Sequence, residues 1–140
     1  MSRIFWDTNL YVYLLENNPD FLPYVERLRI RMLTRGDQLL TSTMTLGEVL
    51  VKPTKAGDTE RSRRYEKMIL SSSQIIPLDV AAARHYASIR CDRTIKPPDA
   101  MQLSCAASVG VDLFVTNDDR LQGKFVPGIQ FIAPLVRVPI

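Results

Sequence analysis

The chain has 140 residues, enough to bury one core but too few for two cores of ordinary size, and we expect a single domain over residues 1–140. Hydrophobic residues make up 46% of the sequence and charged residues 24%, as in soluble globular proteins, and no stretch predicts a signal peptide or a membrane span. The formal net charge of +3 is by itself weak evidence for a polyanionic partner.

Short β-rich runs alternate with longer helical patterns along the whole chain. In chain order, the sequence predicts strands at residues 4–6, 39–41, 74–77, 113–116 and 129–132. It predicts helices at residues 8–15, 20–34, 43–51, 59–71, 79–90 and 98–109, with a short turn near 118–121. The strands are apolar throughout rather than alternating, which indicates a mainly parallel sheet covered by helices on both faces.

Several kinds of functional site are excluded by residue type and spacing. Cys91 and Cys105 fit neither a disulfide framework nor the Cys-x-x-Cys spacing of a zinc site. His85 is the only histidine, so a histidine-based catalytic triad cannot be assembled convincingly. No glycine-rich phosphate loop of the GxGxxG or GxxxxGK type occurs. We expect a cytoplasmic protein, since a reducing compartment suits the two unpaired thiols.

Acidic residues stand at points that the predicted fold brings to one edge of the sheet. Asp7 ends the first strand, and Asp118 and Asp119 follow the fourth. Glu48 lies on the helix after the second strand, and Asp99 opens the helix that leads into the fourth. Each alone has an ordinary explanation, because an Asp at a helix start is usually a cap and a Glu on a helix is usually solvated.

Together these carboxylates predict a site for divalent cations. Four carboxylates at one edge of a sheet repel one another unless they are protonated or bridged by cations. Hard oxygen ligands suit Mg²⁺ or Mn²⁺. If four of the 15 acidic residues are gathered in one pocket, the remaining 11 stand against 18 basic residues, a surface suited to nucleic acid.

Four segments also carry a resemblance to a known family. The stretches FWDTNL, LGEVLV, PPDAMQLSCA and FVTNDDRL, in that order and at about that spacing, resemble the four acidic motifs of the PIN-domain ribonucleases. The chain is most similar to the VapC branch, the small bacterial toxins of toxin–antitoxin pairs, over essentially its full length. The resemblance implies a three-layer α/β/α fold, an endoribonuclease dependent on Mg²⁺ or Mn²⁺, a homodimer and a small antitoxin partner.

Matching positions imply roles for individual residues. The acidic site, both catalytic and metal-binding, becomes Asp7, Glu48, Asp99 and Asp118. The polar residues that support it become Asn9, Thr116, Asn117 and Asp119. Which of the two neighbouring acids faces the metal is open, and we assign Asp118 and keep Asp119 as an auxiliary. The pattern departs at Leu121, where an aromatic residue is commoner.

The implied chemistry is metal-assisted hydrolysis of RNA phosphodiester bonds. Asp7, Asp99 and Asp118 would hold one or two cations that polarise the phosphate and activate a water. Glu48 would bind a second metal or orient the water as a general base, and the sequence leaves this choice open. The basic residues nearest in sequence to the second and third motifs would position the RNA: Lys52, Lys55, Arg93 and Lys96.

Two other function classes stay open. A non-catalytic PIN-like module could bind RNA or a protein, although such a copy has no need to keep four repelling acids. A phosphotransferase or phosphatase could use Asp7 as its nucleophile, but that chemistry commonly needs a second Asp two positions later, where this chain has Asn9. A metal-dependent cleavage assay with parallel measurement of inorganic phosphate separates the three.

Overall fold

Strands and helices alternate along the chain in a computed structural model that describes residues 1–140. The strands are β1 (Arg3–Trp6), β2 (Gln38–Ser42), β3 (Gln74–Ile76), β4 (Val111–Val115) and β5 (Ile129–Ala133). The α-helices are α1 (Thr8–Leu15), α2 (Leu22–Arg35), α3 (Thr43–Lys55), α4 (Thr59–Ser72), α5 (Val80–Ile89) and α6 (Pro97–Val109). Short 3₁₀ helices span Asp119–Leu121 and Leu135–Arg137.

All five strands join one sheet in the order β3-β2-β1-β4-β5, and every neighbouring pair is parallel. From β1 the chain winds outward through β2 and β3, then returns to the other side of β1 to form β4 and β5. The winding direction therefore reverses between β1 and β4, and ligands of such sheets bind outside the carboxyl ends of the strands at this reversal. Trp6 and Val115 are paired at that end.

Helices cover both faces of the sheet and form a core on each. On one face, Phe5 and Phe114 stack at 5.1 Å between ring centroids and pack with the buried residues of α5 and α6. On the other face, Ile4, Trp6 and Val115 pack with the buried side chains of α1, α2 and α3. Because both faces are covered, the strands are apolar without alternation, and the predicted α/β fold is confirmed.

Local chemistry sets where the helices begin. Asp7, Ser42 and Asp79 are the N-caps of α1, α3 and α5, and each side chain accepts a hydrogen bond from a backbone N–H of its helix. Helix α6 begins with Pro97. The first backbone N–H groups of a helix have no acceptor within the helix, so a proline at this position loses no hydrogen bond. Two of these caps end strands directly, which makes the connections from strand to helix very short.

The predicted elements are all present, but some boundaries differ. Helix α3 continues to Lys55 rather than ending near residue 51, because Pro53 is accommodated in its last turn with its side chain buried. Strand β4 begins at Val111 and ends before Thr116. The 3₁₀ helix Leu135–Arg137 was not predicted.

The two cysteines differ in exposure, since Cys105 is buried and Cys91 is exposed. No helix of the structure is long and apolar enough to span a membrane.

Candidate active site

Asp7 lies at the carboxyl end of β1, at the point where the sheet reverses its winding. Its backbone N–H still donates to Val115 of β4 at 3.0 Å, so the main chain is fixed by the sheet. Its Oδ1 accepts from the Thr8 N–H at 2.8 Å, and its Oδ2 accepts from the Thr116 hydroxyl at 2.7 Å. The carboxylate is thus held between the start of α1 and the segment that follows β4.

Burial makes the charge of Asp7 costly. Only 8% of the residue is exposed, and it forms no ion pair with Lys or Arg. Burial raises the pKa of Asp7 to about 6, with smaller contributions from the charges of Asp99 and Glu48, while the hydrogen bonds from Thr116 and Thr8 oppose the rise. A buried acid whose charge is uncompensated by any basic side chain favours binding of a cation.

Asp99 and Asp118 are joined by one arginine. The Arg120 guanidinium donates to both oxygens of Asp118, from Nε to Oδ1 at 3.0 Å and from Nη2 to Oδ2 at 2.6 Å. The same Nη2 lies 3.7 Å from Oδ2 of Asp99. Burial and then the neighbouring Asp118 raise the pKa of Asp99, whereas the hydrogen bonds from Arg120 lower the pKa of Asp118.

Glu48 is held by a network of uncharged side chains. The Thr8 hydroxyl donates to its Oε1 at 2.9 Å, and Thr8 in turn accepts from Gln102 Nε2 at 2.9 Å. Gln102, on α6 and 2% exposed, also donates to Thr45 at 2.7 Å and accepts from the Ser42 hydroxyl. This network joins the starts of α1 and α3 to α6, and it holds Glu48 near Asp7, whose pKa the Glu48 charge helps to raise.

The four predicted supporting residues occupy different positions. Thr116 donates to Asp7, as described above. Asn117 hydrogen-bonds to no carboxylate, because its amide donates to the Tyr13 hydroxyl at 3.3 Å and its carbonyl accepts from the Leu135 N–H at 3.2 Å. Asn9 has a buried Oδ1 without a hydrogen-bond partner, and Asp119 is exposed.

The predicted RNA-positioning residues are all exposed, with unequal surroundings. Lys96 precedes α6 as its N-cap residue, and its charge opposes the rise in the pKa of Asp99 and adds to the lowering of the pKa of Asp118. Lys52 instead pairs with Glu16 at 2.5 Å. Lys55 and Arg93 form no ion pair. Of the four, Lys96 is the one that the structure couples to the acids.

The side chains of this region are of the type that binds divalent cations, although they do not converge on a single position. No three acidic, histidine or cysteine side chains converge closely enough to coordinate one ion. The residues nevertheless supply oxygen ligands only, and a cationic group, the Arg120 guanidinium, already stands between Asp99 and Asp118. The buried, unpartnered oxygen of Asn9, two residues after Asp7, is a further oxygen of the kind that Mg²⁺ and Mn²⁺ accept.

Three residues of this region were not predicted from the sequence: Thr8, Gln102 and Arg120. Gln102 follows Asp99 by three positions, so it lies about one turn further along the same face of α6. An uncharged polar residue in the otherwise apolar and small-residue run AMQLSCAA was the available signal. Arg120 follows Asp118 by two positions, and its partner could not be read from that spacing.

The fold and this acidic edge define a class of protein. An all-parallel five-stranded sheet with carboxylates at its reversal point is an α/β protein whose acids lie where such folds bind their ligands, outside the carboxyl ends of β1 and β4. The sequence matches the PIN domain over residues 4–124, and the chain belongs to the PIN-domain family. The resemblance read from the four acidic motifs is thereby confirmed.

Individual relatives and solved structures agree with this assignment. The chain is 27% identical over 135 residues to the tRNA(fMet)-specific endonuclease VapC of Salmonella typhimurium, covering 93% of this chain and 96% of that protein. It is similar to the crystal structure of DNA-bound VapBC from Salmonella typhimurium, with a TM-score of 0.71, 26% identity and coverage of 96% and 99% of the two chains. VapBC2 from Rickettsia felis, at 20% identity and a TM-score of 0.73 over 94% and 98% of the chains, supports the fold alone.

Proposed function

We propose that this chain is a divalent-metal-dependent endoribonuclease. The observation that carries the proposal is the placement of Asp7, a buried carboxylate without an ion-pair partner, at the reversal point of a PIN-domain sheet, with Asp99 and Glu48 close enough to raise its pKa. A buried carboxylate that has no basic partner and lies near two further acids favours the binding of a cation.

The roles of the residues follow from their contacts. Carboxylate oxygens of Asp7, Asp99 and Asp118 would hold Mg²⁺ or Mn²⁺, which when bound polarises a phosphate and makes a water more acidic. Glu48 has its Oε1 occupied by the Thr8 hydroxyl, which orients the carboxylate and leaves Oε2 to accept a proton from the attacking water. Thr116 fixes the orientation of Asp7. Lys96 would attract the RNA backbone beside the acids.

The direct test is cleavage of RNA by the purified chain with Mn²⁺ and with EDTA. We expect Mn²⁺-dependent cleavage in wild type and a loss of about 100-fold or more in Asp99→Asn, because a metal-binding oxygen is lost. The matched control is Asp20→Asn, the same change at an exposed loop residue, which should cleave like wild type.

Two results would contradict the proposal. Release of inorganic phosphate without internal cleavage would indicate a phosphatase. RNA binding without any cleavage, in wild type with Mn²⁺, would indicate a non-catalytic PIN-like module.

We also propose tRNA as the substrate class and an antitoxin as the protein partner. A relative that covers nearly the whole chain is a tRNA(fMet)-specific endonuclease, and a similar solved structure, at 26% identity, is a DNA-bound VapBC. Such a toxin would act in the cytoplasm, where tRNA is found, and as a homodimer.

Two measurements test the partner and the oligomeric state. Co-expression with a neighbouring small gene should yield a tight, inactive complex. Light scattering of the chain alone should give twice the monomer mass. A fully active complex would count against the partner.

A further inference from the structure

Arg120 makes the most complete ion-pair geometry in the acidic region. Its guanidinium is bidentate on Asp118 and reaches Asp99 with the same nitrogen. In addition, the backbone N–H of Arg120 donates to Asp118 Oδ1 at 3.0 Å. Both oxygens of Asp118 are therefore already engaged, and a cation cannot take both of them without displacing the guanidinium.

The guanidinium can leave at low cost. The Arg120 side chain is 58% exposed, whereas those of Asp99 and Asp118 are 20% and 17% exposed. The backbone N–H bond to Asp118 does not depend on the side chain, so the turn keeps its shape when the guanidinium moves away. An exposed arginine that contacts half-buried acids is held weakly compared with a buried pair.

On the basis of the function proposed above, we infer that Arg120 is the internal counter-ion of the metal-free site, that the divalent cation displaces it, and that its freed guanidinium then binds an RNA phosphate. The planar fork that is bidentate on a carboxylate is equally suited to two phosphate oxygens. Because Arg120 follows Asp118 by two residues in a short 3₁₀ helix, the freed side chain remains at the metal site. Arg120 is thus a positioning residue that exchanges one anionic partner for another.

The first measurement is Mn²⁺ binding by isothermal titration calorimetry, with no RNA present. Arg120→Gln removes the competing charge, and we expect Mn²⁺ to bind about three- to tenfold more tightly than to wild type. Arg120→Lys keeps the charge without the bidentate fork and should lie between the two. The matched control is Arg84→Gln, on α5, exposed and without an ion pair, which removes the same charge elsewhere and should bind Mn²⁺ like wild type.

The second measurement is RNA affinity with saturating Mn²⁺, in a Glu48→Gln background that slows cleavage. We expect Arg120→Gln to bind a single-stranded RNA about three- to tenfold more weakly than the parent, with Arg84→Gln changing the affinity less. Arg120→Gln should therefore change the two affinities in opposite directions, with tighter Mn²⁺ binding and weaker RNA binding. Loss of a purely structural residue would weaken both.

The outcomes separate this inference from the proposed function. Mn²⁺ binding that is equal or weaker in Arg120→Gln, with Mn²⁺-dependent cleavage intact in wild type, overturns the counter-ion role alone. Equal RNA affinity overturns the phosphate-binding role. If neither wild type nor Arg120→Gln binds Mn²⁺, the proposed function fails and the inference fails with it.

Discussion

At the scale of single residues, Asp7 combines two roles that the sequence presents as alternatives. One oxygen caps α1 by accepting from Thr8, and the other is held by Thr116 within the acidic site. Capping and membership of the site are compatible because a carboxylate has two oxygens. The same double use explains why a strand can end on an acid and pass directly into a helix.

The burial of Asp7 predicts a pH-dependent effect of Asp7→Asn on the metal-free protein. Its folded pKa of about 6 lies above the ordinary value of 3.8, so the folded chain binds more protons than the unfolded chain between these values and loses stability as the pH rises through this window. Asn caps about as well and carries no charge. In EDTA, Asp7→Asn should match wild type near pH 4 and exceed its free energy of unfolding by about 1 to 3 kcal/mol near pH 7.5.

Urea unfolding at a series of pH values measures this difference. Asp20→Asn, at an exposed position, should show no pH-dependent difference from wild type. A gap between Asp7→Asn and wild type that stays constant from acid to neutral pH would mean that the folded pKa of Asp7 is not raised.

Gln102 predicts a second effect at the residue scale. Gln102→Leu fills a similar volume but leaves Ser42 and Thr45 with fewer partners in a buried region. We expect a loss of about 2 to 4 kcal/mol in the free energy of unfolding. Ser104→Ala on the same buried helix is the control, since its hydroxyl only donates to Met101 within that helix, and should cost about 1 kcal/mol or less. Equal costs in urea unfolding would show that the Gln102 network adds nothing to stability.

At the scale of elements, the sheet is fixed to α6 by a close approach at Gly128. This residue has a φ of +99°, and a Cβ there would lie 2.6 Å from the backbone oxygen of Ala107 near the end of α6. The turn into β5 can therefore pass this close to the helix only if residue 128 has no side chain.

Leu121, where the family has an aromatic residue more commonly, is buried in the same core as the residues of α6.

Two glycine-to-alanine substitutions should change the free energy of unfolding in opposite directions. Gly128→Ala forces a left-handed residue against backbone and should lower the free energy of unfolding by about 2 kcal/mol or more. Gly47→Ala lies in α3 with nothing within 4 Å of the added carbon, and should raise it by about 0.5 to 1 kcal/mol. Thermal and urea unfolding of the two variants beside wild type test this, and a stable Gly128→Ala protein would show that the turn can move away from α6.

At the scale of the whole molecule, charge is distributed unevenly. The net charge is +3, yet the carboxyl edge of the sheet gathers Asp7, Glu48, Asp99 and Asp118. Most of the basic excess therefore lies outside this edge, and under the proposed function it would attract an RNA backbone while the acids hold cations. Besides Arg120, which contacts both Asp99 and Asp118, Lys96 connects the two regions, because it lies three residues before Asp99 in sequence and its charge acts on both acids.

This distribution predicts unequal salt dependence in two lysine variants. The slope of log RNA affinity against log salt should become shallower by about 0.7 in Lys96→Gln, the value for one lost contact with a single-stranded phosphate backbone. Lys52→Gln should change it less, because Lys52 already pairs with Glu16. Affinities measured over a range of salt concentrations give both slopes, and a larger change in Lys52→Gln would place the RNA along α3 instead.

The sequence by itself determined the element types, the parallel sheet and the positions of the four acids. These follow from local signals, since apolar runs mark buried strands and cap residues mark helix starts. The predicted helix boundaries were less accurate where a residue departs from its usual preference. Proline usually ends a helix, but Pro53 lies inside α3, where its side chain is buried.

Only the tertiary structure decided what surrounds the acids. The raised pKa of Asp7 depends on burial and on charges 41 and 92 residues away in sequence, at Glu48 and Asp99. Gln102 reaches Thr8 across 94 residues, and the contact of Arg120 with Asp99 requires α6 and the turn after β4 to meet. The sequence alone assigned Asp118 over Asp119 by family likeness, whereas the fold shows Asp118 half-buried beside Asp99 and Asp119 exposed. Spacing along a chain carries no information about such distances, because they are set by how distant segments pack.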